Sequence, residues 1–309
     1  MIGIEMTRTA PAISDPHLHR SYRYRRQLNA HHGKIFFLAT RLLAPDQRPA
    51  VHALYGFARR ADDILDEFDP RRESADRARQ LDALAGHFRD RDAAADAVLP
   101  AILDTADRYR IPAELFDAFL ASMRMDLTVT DYRDRAALDT YIYGSAEVIG
   151  LQLLPVLGTP CADEAAPHAA ALGKAFQLTN FLRDVAEDLV RDRVYLPADE
   201  LAAFGVDRDL LRWCLIRRRT EPRVRRALAA QHAINRDIYR FARAGIAVLH
   251  PRSRPCVTTA TTLYSEILDR IEDSDFAVFD HRATVPNRRR AQVGATGLVK
   301  AWWARRAQR

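Results

Sequence analysis

Between Gly173 and Pro197 the chain reads GKAFQLTNFLRDVAEDLVRDRVYLP. On a helix, Gln177, Asn180, Asp184 and Asp188 fall at offsets 0, 3, 7 and 11, which is one stripe. Phe176, Phe181, Val185 and Leu189 flank the stripe, so it is expected to face inward. Two carboxylates one turn apart repel each other, and burying them without a cation is costly. A hard divalent ion removes both problems. Mg²⁺ takes one or two carboxylates and completes its shell with water and substrate phosphates. The ordinary alternative is a solvated helix face, and Arg183, Glu187 and Arg191 make such a face nearby.

A second acidic stripe lies upstream in VHALYGFARRADDILDEFD, residues 51–69. Val51, Leu54, Tyr55 and Ala58 make an apolar stripe that runs, turn by turn, into Asp62, Asp63 and Asp66, with Arg59 beside them. An apolar face that becomes acidic without leaving the face describes a cavity with a metal-binding mouth. The alternative is a helix whose last turn reaches solvent. One DDxxD alone is weak evidence, and two on separate helices are much stronger.

These two segments resemble the paired aspartate motifs of the squalene/phytoene synthase family. The second motif carries Gly173, Gln177, Asn180, Arg183, Asp184, Asp188, Arg193, Tyr195 and Pro197. The likeness runs from about His31 to about Arg282. It implies an all-α, single-domain isoprenoid-synthase bundle around an apolar cavity. It also implies that Mg²⁺ or Mn²⁺ is held by Asp62, Asp66, Asn180, Asp184 and Asp188. Tyr141 would face the site, Tyr264 would be a cavity tyrosine, and Arg282 would be a late basic residue that meets diphosphate. The chain departs from the family at Gly33 and Ile35, where some relatives carry serines, and at Ile142 and Glu147, where small residues are usual.

The elements that must position these residues are helical. Gly is sparse at 12 of 309 residues, Ala, Leu and Arg are abundant, and β-branched alternation is almost absent. The net charge of +6 suits an anionic ligand or an acidic membrane surface. No nucleic-acid-binding signature accompanies it, so nucleic acid is not an expected partner. Cys161, Cys214 and Cys256 are widely spaced and odd in number, which reads as reduced thiols in a cytoplasmic protein. No signal peptide is expected, and the apolar run near 148–158 is too short to span a bilayer.

In chain order, residues 1–14 read as a disordered leader and 15–285 as one domain. Asp15-Pro16 opens the first helix. His31 and His32 are adjacent and point apart, whereas Lys34 is placed to greet a phosphate. Phe36 and Phe37 suit the core, with one of them lining the cavity. Asp46 is expected to cap the next helix, which Asp69-Pro70 ends. Residues 71–108 read as two peripheral, polar-faced helices. In LDTYIYGSAEVIGLQLLPVL, residues 138–157, the small residues Gly144, Ser145, Ala146 and Gly150 sit inside a helix. A helix-interior Gly costs ~1 kcal/mol, so either a close helix or a slender ligand must need the space. The stretch 286–309 reads as a basic tail. Its Leu298, Trp302 and Trp303 among Lys300, Arg305 and Arg306 suit either the inner face of an anionic membrane or a frayed, solvated terminus.

Two carboxylate faces, several arginines and an aromatic-lined apolar cavity suit the ionisation of an allylic diphosphate. Arg59, Arg183 and Lys34 would add charge-assisted hydrogen bonds to the phosphates. Tyr55, Tyr141, Phe181 and Tyr264 would steady a carbocation with their ring faces. Gln177, Arg193, Tyr195 and Gly150 complete the expected substrate contacts. The family likeness further implies head-to-head coupling of two prenyl diphosphates through a cyclopropylcarbinyl diphosphate. Geranylgeranyl diphosphate would give 15-cis-phytoene, a carotenoid precursor, and farnesyl diphosphate would give a C30 product. No nucleotide fingerprint is present to supply hydride, which favours the C40 reading.

Overall fold

The structure, a computed structural model, describes residues 21–22, 34–66 and 74–307. The expected leader, Asp15-Pro16, the His31-His32 pair, Gly33 and Asp69-Pro70 lie outside those residues. So do the side chains of Lys34 and Asp66.

Among the described residues the ordered elements are helices, apart from one isolated bridge between Asp131 and Val194. The chain runs through α1 (Lys34–Thr40), α2 (Arg48–Asp66), α3 (Ser74–Arg89), α4 (Leu99–Tyr109) and α5 (Ala113–Met125). α6 (Arg135–Ile142) passes through a π-helical turn, Tyr143–Glu147, into α7 (Val148–Leu157). α8 (Ala162–Arg183) is followed by the short helices α9 (Val185–Val190), α10 (Ala198–Ala202) and α11 (Arg208–Arg217). α12 (Pro222–Ala244), a 3₁₀ turn at Gly245–Ala247, α13 (Arg254–Asp273) and α14 (Asn287–Arg306) complete it.

Local chemistry sets several of these ends. The carboxylates of Asp134 and Asp207 accept from the backbone N–H of Ala137 and Leu210, which caps α6 and α11 at about 1 kcal/mol each. Glu221 caps α12 and Pro222 opens it, where a missing N–H costs nothing. Asp46 does not hold the start of α2. Its carboxylate reaches Arg252 at 3.3 Å, and Gln47 closes the turn by accepting from Ala44 and donating to the carbonyl of Val156.

Two apolar cores flank a cavity. One gathers Leu54, Phe57 and Ile64 of α2 with Leu99 and Ile102 of α4 and Phe116 of α5. The other gathers Leu182 of α8, Leu228 of α12 and Leu263 and Ile267 of α13. Residues 71–108 are therefore not all peripheral. Leu99, Ala101 and Ile102 are fully buried against α2. Their apolar stripe is short, and the Arg- and Asp-rich surroundings masked it in the sequence.

Two further expectations change. The acidic stripe beginning at Gln177 does not ride one helix, because α8 ends at Arg183 and Asp184 leaves helical geometry at φ −104°, ψ 15°. The backbone bonds Asp184 N–H to Asn180 O (2.9 Å) and Asp188 N–H to Asp184 O (2.8 Å) survive, so the break is a bend. The basic stretch after residue 286 is a docked helix. Gly294 of α14 rests on Leu38, Gly297 on Leu42 and Thr259, and Arg289 grips the carboxylate of Glu266.

Candidate active site

The cavity between the two cores measures about 340 Å³ and is apolar along its length. α2 supplies one wall. Val51, Leu54, Tyr55, Ala58 and Asp62 recur at helical spacing and all line it, so this wall becomes polar only at its C-terminal end. α8 supplies the opposite wall, with Leu172, Gly173 and Phe176 leading to Gln177 and Asn180 at the same end. One end of the cavity is thus ringed by Asp62, Gln177 and Asn180, and the rest is mostly apolar, with Thr40, Ser145 and His168 as polar exceptions.

The small residues do both jobs that the sequence left open. A Cβ on Gly150 would overlap the carbonyl of Ala169, one on Gly173 the carbonyl of Ala146, and one on Gly144 the carbonyl of Ala118. Close helix packing therefore requires these glycines. The same approach leaves Ser145, Ala146 and Gly150 on the cavity wall. Glu147 stays out of it. Lys174 reaches Asp139 at 2.7 Å and Glu147 at 3.7 Å, which ties the π-helical turn to α8.

Phe36 and Phe176 line one flank, and the expected cavity tyrosine, Tyr264, packs against them without being part of the lining. Phe36 lies 5.6 Å from Phe176 and 4.8 Å from Tyr264, and Phe176 lies 4.5 Å from Tyr264. Burial pushes the Tyr264 hydroxyl up to about 12, although the neighbouring Arg183 pulls it down. Tyr55 also feels burial first, and its pKa is raised.

Asp184 sits at the bend beyond Asn180. Arg183 donates Nε and Nη2 to its carboxylate at 2.7 and 2.5 Å, and Arg282 donates Nε and Nη2 at 2.7 and 3.0 Å. Burial would raise this carboxyl, but the two guanidinium groups outweigh it and hold the pKa below the ordinary value. Asp188 is different. Burial and then the charge of Asp184 raise it to about 7, only partly offset by Arg191 and Arg193. Asp188 lines a small hollow with Arg193 and Tyr195. Arg59 is engaged with Asp63 at 2.6 Å.

Three expected cavity aromatics lie elsewhere. Tyr141 and Tyr195 both donate to the carboxylate of Asp126, at 2.8 and 3.1 Å, while Arg193 donates to the Asp126 carbonyl at 2.6 Å. Phe181 stacks on Tyr195 at 4.1 Å. The physical cause is Asp126, a nearly buried carboxylate that needs donors and gathers them. Nothing in the spacing of Asp126 marks it in the sequence.

The donor chemistry fits a hard divalent cation. The Asp62 carboxylate and the carboxamides of Gln177 and Asn180 share the polar end, and the Oδ1 atom of Asn180 is buried with no hydrogen-bond partner among the described residues. Its amide nitrogen points to Gln177 Oε1 at 3.5 Å. Among the described residues, no three Asp, Glu, His or Cys side chains converge on one point.

Comparison with known proteins agrees with this architecture. The pattern of the Squalene/phytoene synthase family matches residues 29–289. A phytoene synthase of Arthrospira platensis is 37% identical over 86% of this chain and 88% of its own length. A 15-cis-phytoene synthase of Synechococcus elongatus is 33% identical over 96% and 99%. Among solved structures, a ligand-bound dehydrosqualene synthase superposes with a TM-score of 0.81 at 25% identity, covering 91% of this chain and 96% of that one.

Proposed function

The chain belongs to the squalene/phytoene synthase family, and from that premise we propose that it joins two geranylgeranyl diphosphates head to head to make 15-cis-phytoene. The observation that carries this reading is the long, mostly apolar cavity that carries its one carboxylate among the described residues, Asp62, at the end where α2 and α8 bring Asp62, Gln177 and Asn180 together. A prenyl diphosphate has the same asymmetry. The relatives named phytoene synthase favour C20 substrates over the C15 alternative, which would give a C30 product.

Ionisation of the first allylic diphosphate gives a carbocation that alkylates the double bond of the second, and loss of a proton from the cation so formed closes the cyclopropane. The resulting cyclopropylcarbinyl diphosphate ionises in turn, rearranges and loses a proton, so two pyrophosphates leave in all. Asp62 and Asp66 from one side, and Asn180, Asp184 and Asp188 from the other, would hold Mg²⁺ or Mn²⁺. Bound there, the ion would neutralise charge on the leaving pyrophosphate. Arg183 and Arg282 keep Asp184 ionised and stand ready to donate to phosphate oxygens. The apolar walls exclude water, which would otherwise quench the cation. Phe36 and Phe176 offer ring faces within the cavity.

The exposed face of α14 supports contact with an anionic membrane. Leu298, Val299, Trp302 and Trp303 face solvent on a helix with six basic residues and no acidic one. No helix among the described residues is long and apolar enough to cross a membrane. A hydrocarbon product has nowhere else to dissolve.

The test is turnover. Labelled geranylgeranyl diphosphate with Mg²⁺ or Mn²⁺ is expected to yield a C40 hydrocarbon and pyrophosphate. A C30 product from farnesyl diphosphate, with none from the C20 substrate, would reverse the chain-length assignment.

A further inference from the structure

The cavity has a defined far end. Away from Asp62 and Asn180 it is bounded by Ala165, His168 and Ala169 of α8, by Gly245 and Ile246 of the 3₁₀ turn, and by Leu249. His168 is the polar side chain among these. It is held in place. Its Nδ1 lies 2.8 Å from the carbonyl of Phe241, and its ring packs 4.3 Å from the Phe241 ring. Its Cβ occupies the space that a Cβ on Gly245 would fill, so only glycine at 245 lets the histidine seat so closely.

The length of the space follows from the helix that forms its wall. α8 is continuous from Ala162 to Arg183, so at a rise of 1.5 Å per residue Asn180 and His168 are ~18 Å apart. An extended carbon chain advances roughly 1.2 Å per bond, from the span of extended polypeptide. A C20 prenyl group then reaches ~19 Å from its diphosphate oxygen, a C15 group ~14 Å and a C25 group ~24 Å by the same advance. The C20 chain is the one whose end falls nearest His168, and a C25 chain must pass it to reach Ala165, one turn further along the same wall.

We infer that His168, seated on Gly245, is the stop that sets the longest prenyl chain the cavity admits. This rests on the prenyl diphosphate reading above and deepens it. A C15 chain leaves the last stretch of the cavity empty, and a C25 chain meets the imidazole. Ala169, one residue nearer the polar end, is small enough to let the C20 chain pass. A large ring at 169 would close the cavity in front of the stop.

The experiment compares kcat/KM for the C15, C20 and C25 diphosphates in the wild type, His168→Ala and Ala169→Phe. His168→Ala is expected to raise the C25 to C20 ratio by tenfold or more. Ala169→Phe is expected to lower the C20 to C15 ratio by tenfold or more. For a variant that folds but does not turn over, calorimetric affinities of the three non-ionising thiolodiphosphate analogues supply the same ratios. Wild-type ratios in both variants would overturn the stop. An inactive wild type would instead overturn the underlying reading, so the two failures are told apart.

Discussion

Arg282 donates Nε and Nη2 to the carboxylate of Asp184 across 98 residues of sequence, at 2.7 and 3.0 Å. Arg183 donates to the same carboxylate, so one acid at the bend between α8 and α9 is held by two guanidinium groups. The arrangement resembles an anion site with its charges already in place. An incoming diphosphate can take over these donors, because it offers more oxygens than the carboxylate does.

Asp184→Asn should therefore lower turnover of geranylgeranyl diphosphate by about 10³-fold, on the scale of losing a group that stabilises developing charge. The far-UV circular dichroism should not change. Arg282→Gln leaves Arg183 in place and should cost less, about 10- to 100-fold. Equal, near-wild-type rates in both variants would remove Asp184 from the machinery.

Gly173→Val should destabilise the fold by about 1–3 kcal/mol or more, because the new side chain must displace the Ala146 carbonyl. Urea denaturation measures it. Gly86→Ala makes the control, since a Cβ there meets nothing. That change replaces a helix-interior glycine and should be neutral or stabilising by up to about 1 kcal/mol.

Stability should fall as pH drops through the histidine range. His232 is buried, with Nδ1 3.3 Å from Glu272 and Nε2 lacking a partner among the described residues. Burial lowers its pKa to about 4 from 6.5, despite the pull of Glu272. Above pH 6.5 the ring is neutral in both folded and unfolded chains, and its full contribution is present. Below that, only the unfolded chain gains the proton, so stability is lost until the folded pKa is reached. The linked loss is about 2 kcal/mol between pH 7.5 and pH 5. Denaturation of wild type and His232→Gln across that range checks this, and the difference between them should shrink as pH falls.

Vesicles test the exposed face of α14. Sedimentation with vesicles containing an anionic lipid should bring down the wild type, and added salt should release it. Trp302→Ala together with Trp303→Ala should weaken binding by about tenfold or more, given the exposed ring area removed. Equal binding to neutral vesicles would take away the electrostatic part of this reading.

How much of this was legible beforehand differs by residue. The cavity wall of α2 could be read from spacing alone, because Val51, Tyr55, Ala58 and Asp62 keep helical phase over 12 residues. The helical class followed from composition and the scarcity of β-branched alternation. The grip on Asp184 could not be read, since one of its two partners, Arg282, lies 98 positions away. Nor could the turn of Tyr141 toward Asp126, because a buried acid recruits donors in three dimensions. His168 carried no signal either. It matters only because α8 brings it opposite Gly245. α14 looked like a tail because its buried face is built of Gly294, Gly297 and Ala301, which hydrophobic patterning does not score.

The most direct test is a crystal structure of the chain with Mn²⁺ and the C20 thiolodiphosphate. The expected result is anomalous Mn²⁺ density between the acidic ends of α2 and α8–α9, on the diphosphate, with the prenyl tail running down the cavity to His168. A diphosphate bound elsewhere, with no ion between Asp62 and Asp184 and a cavity empty of prenyl density, would contradict it.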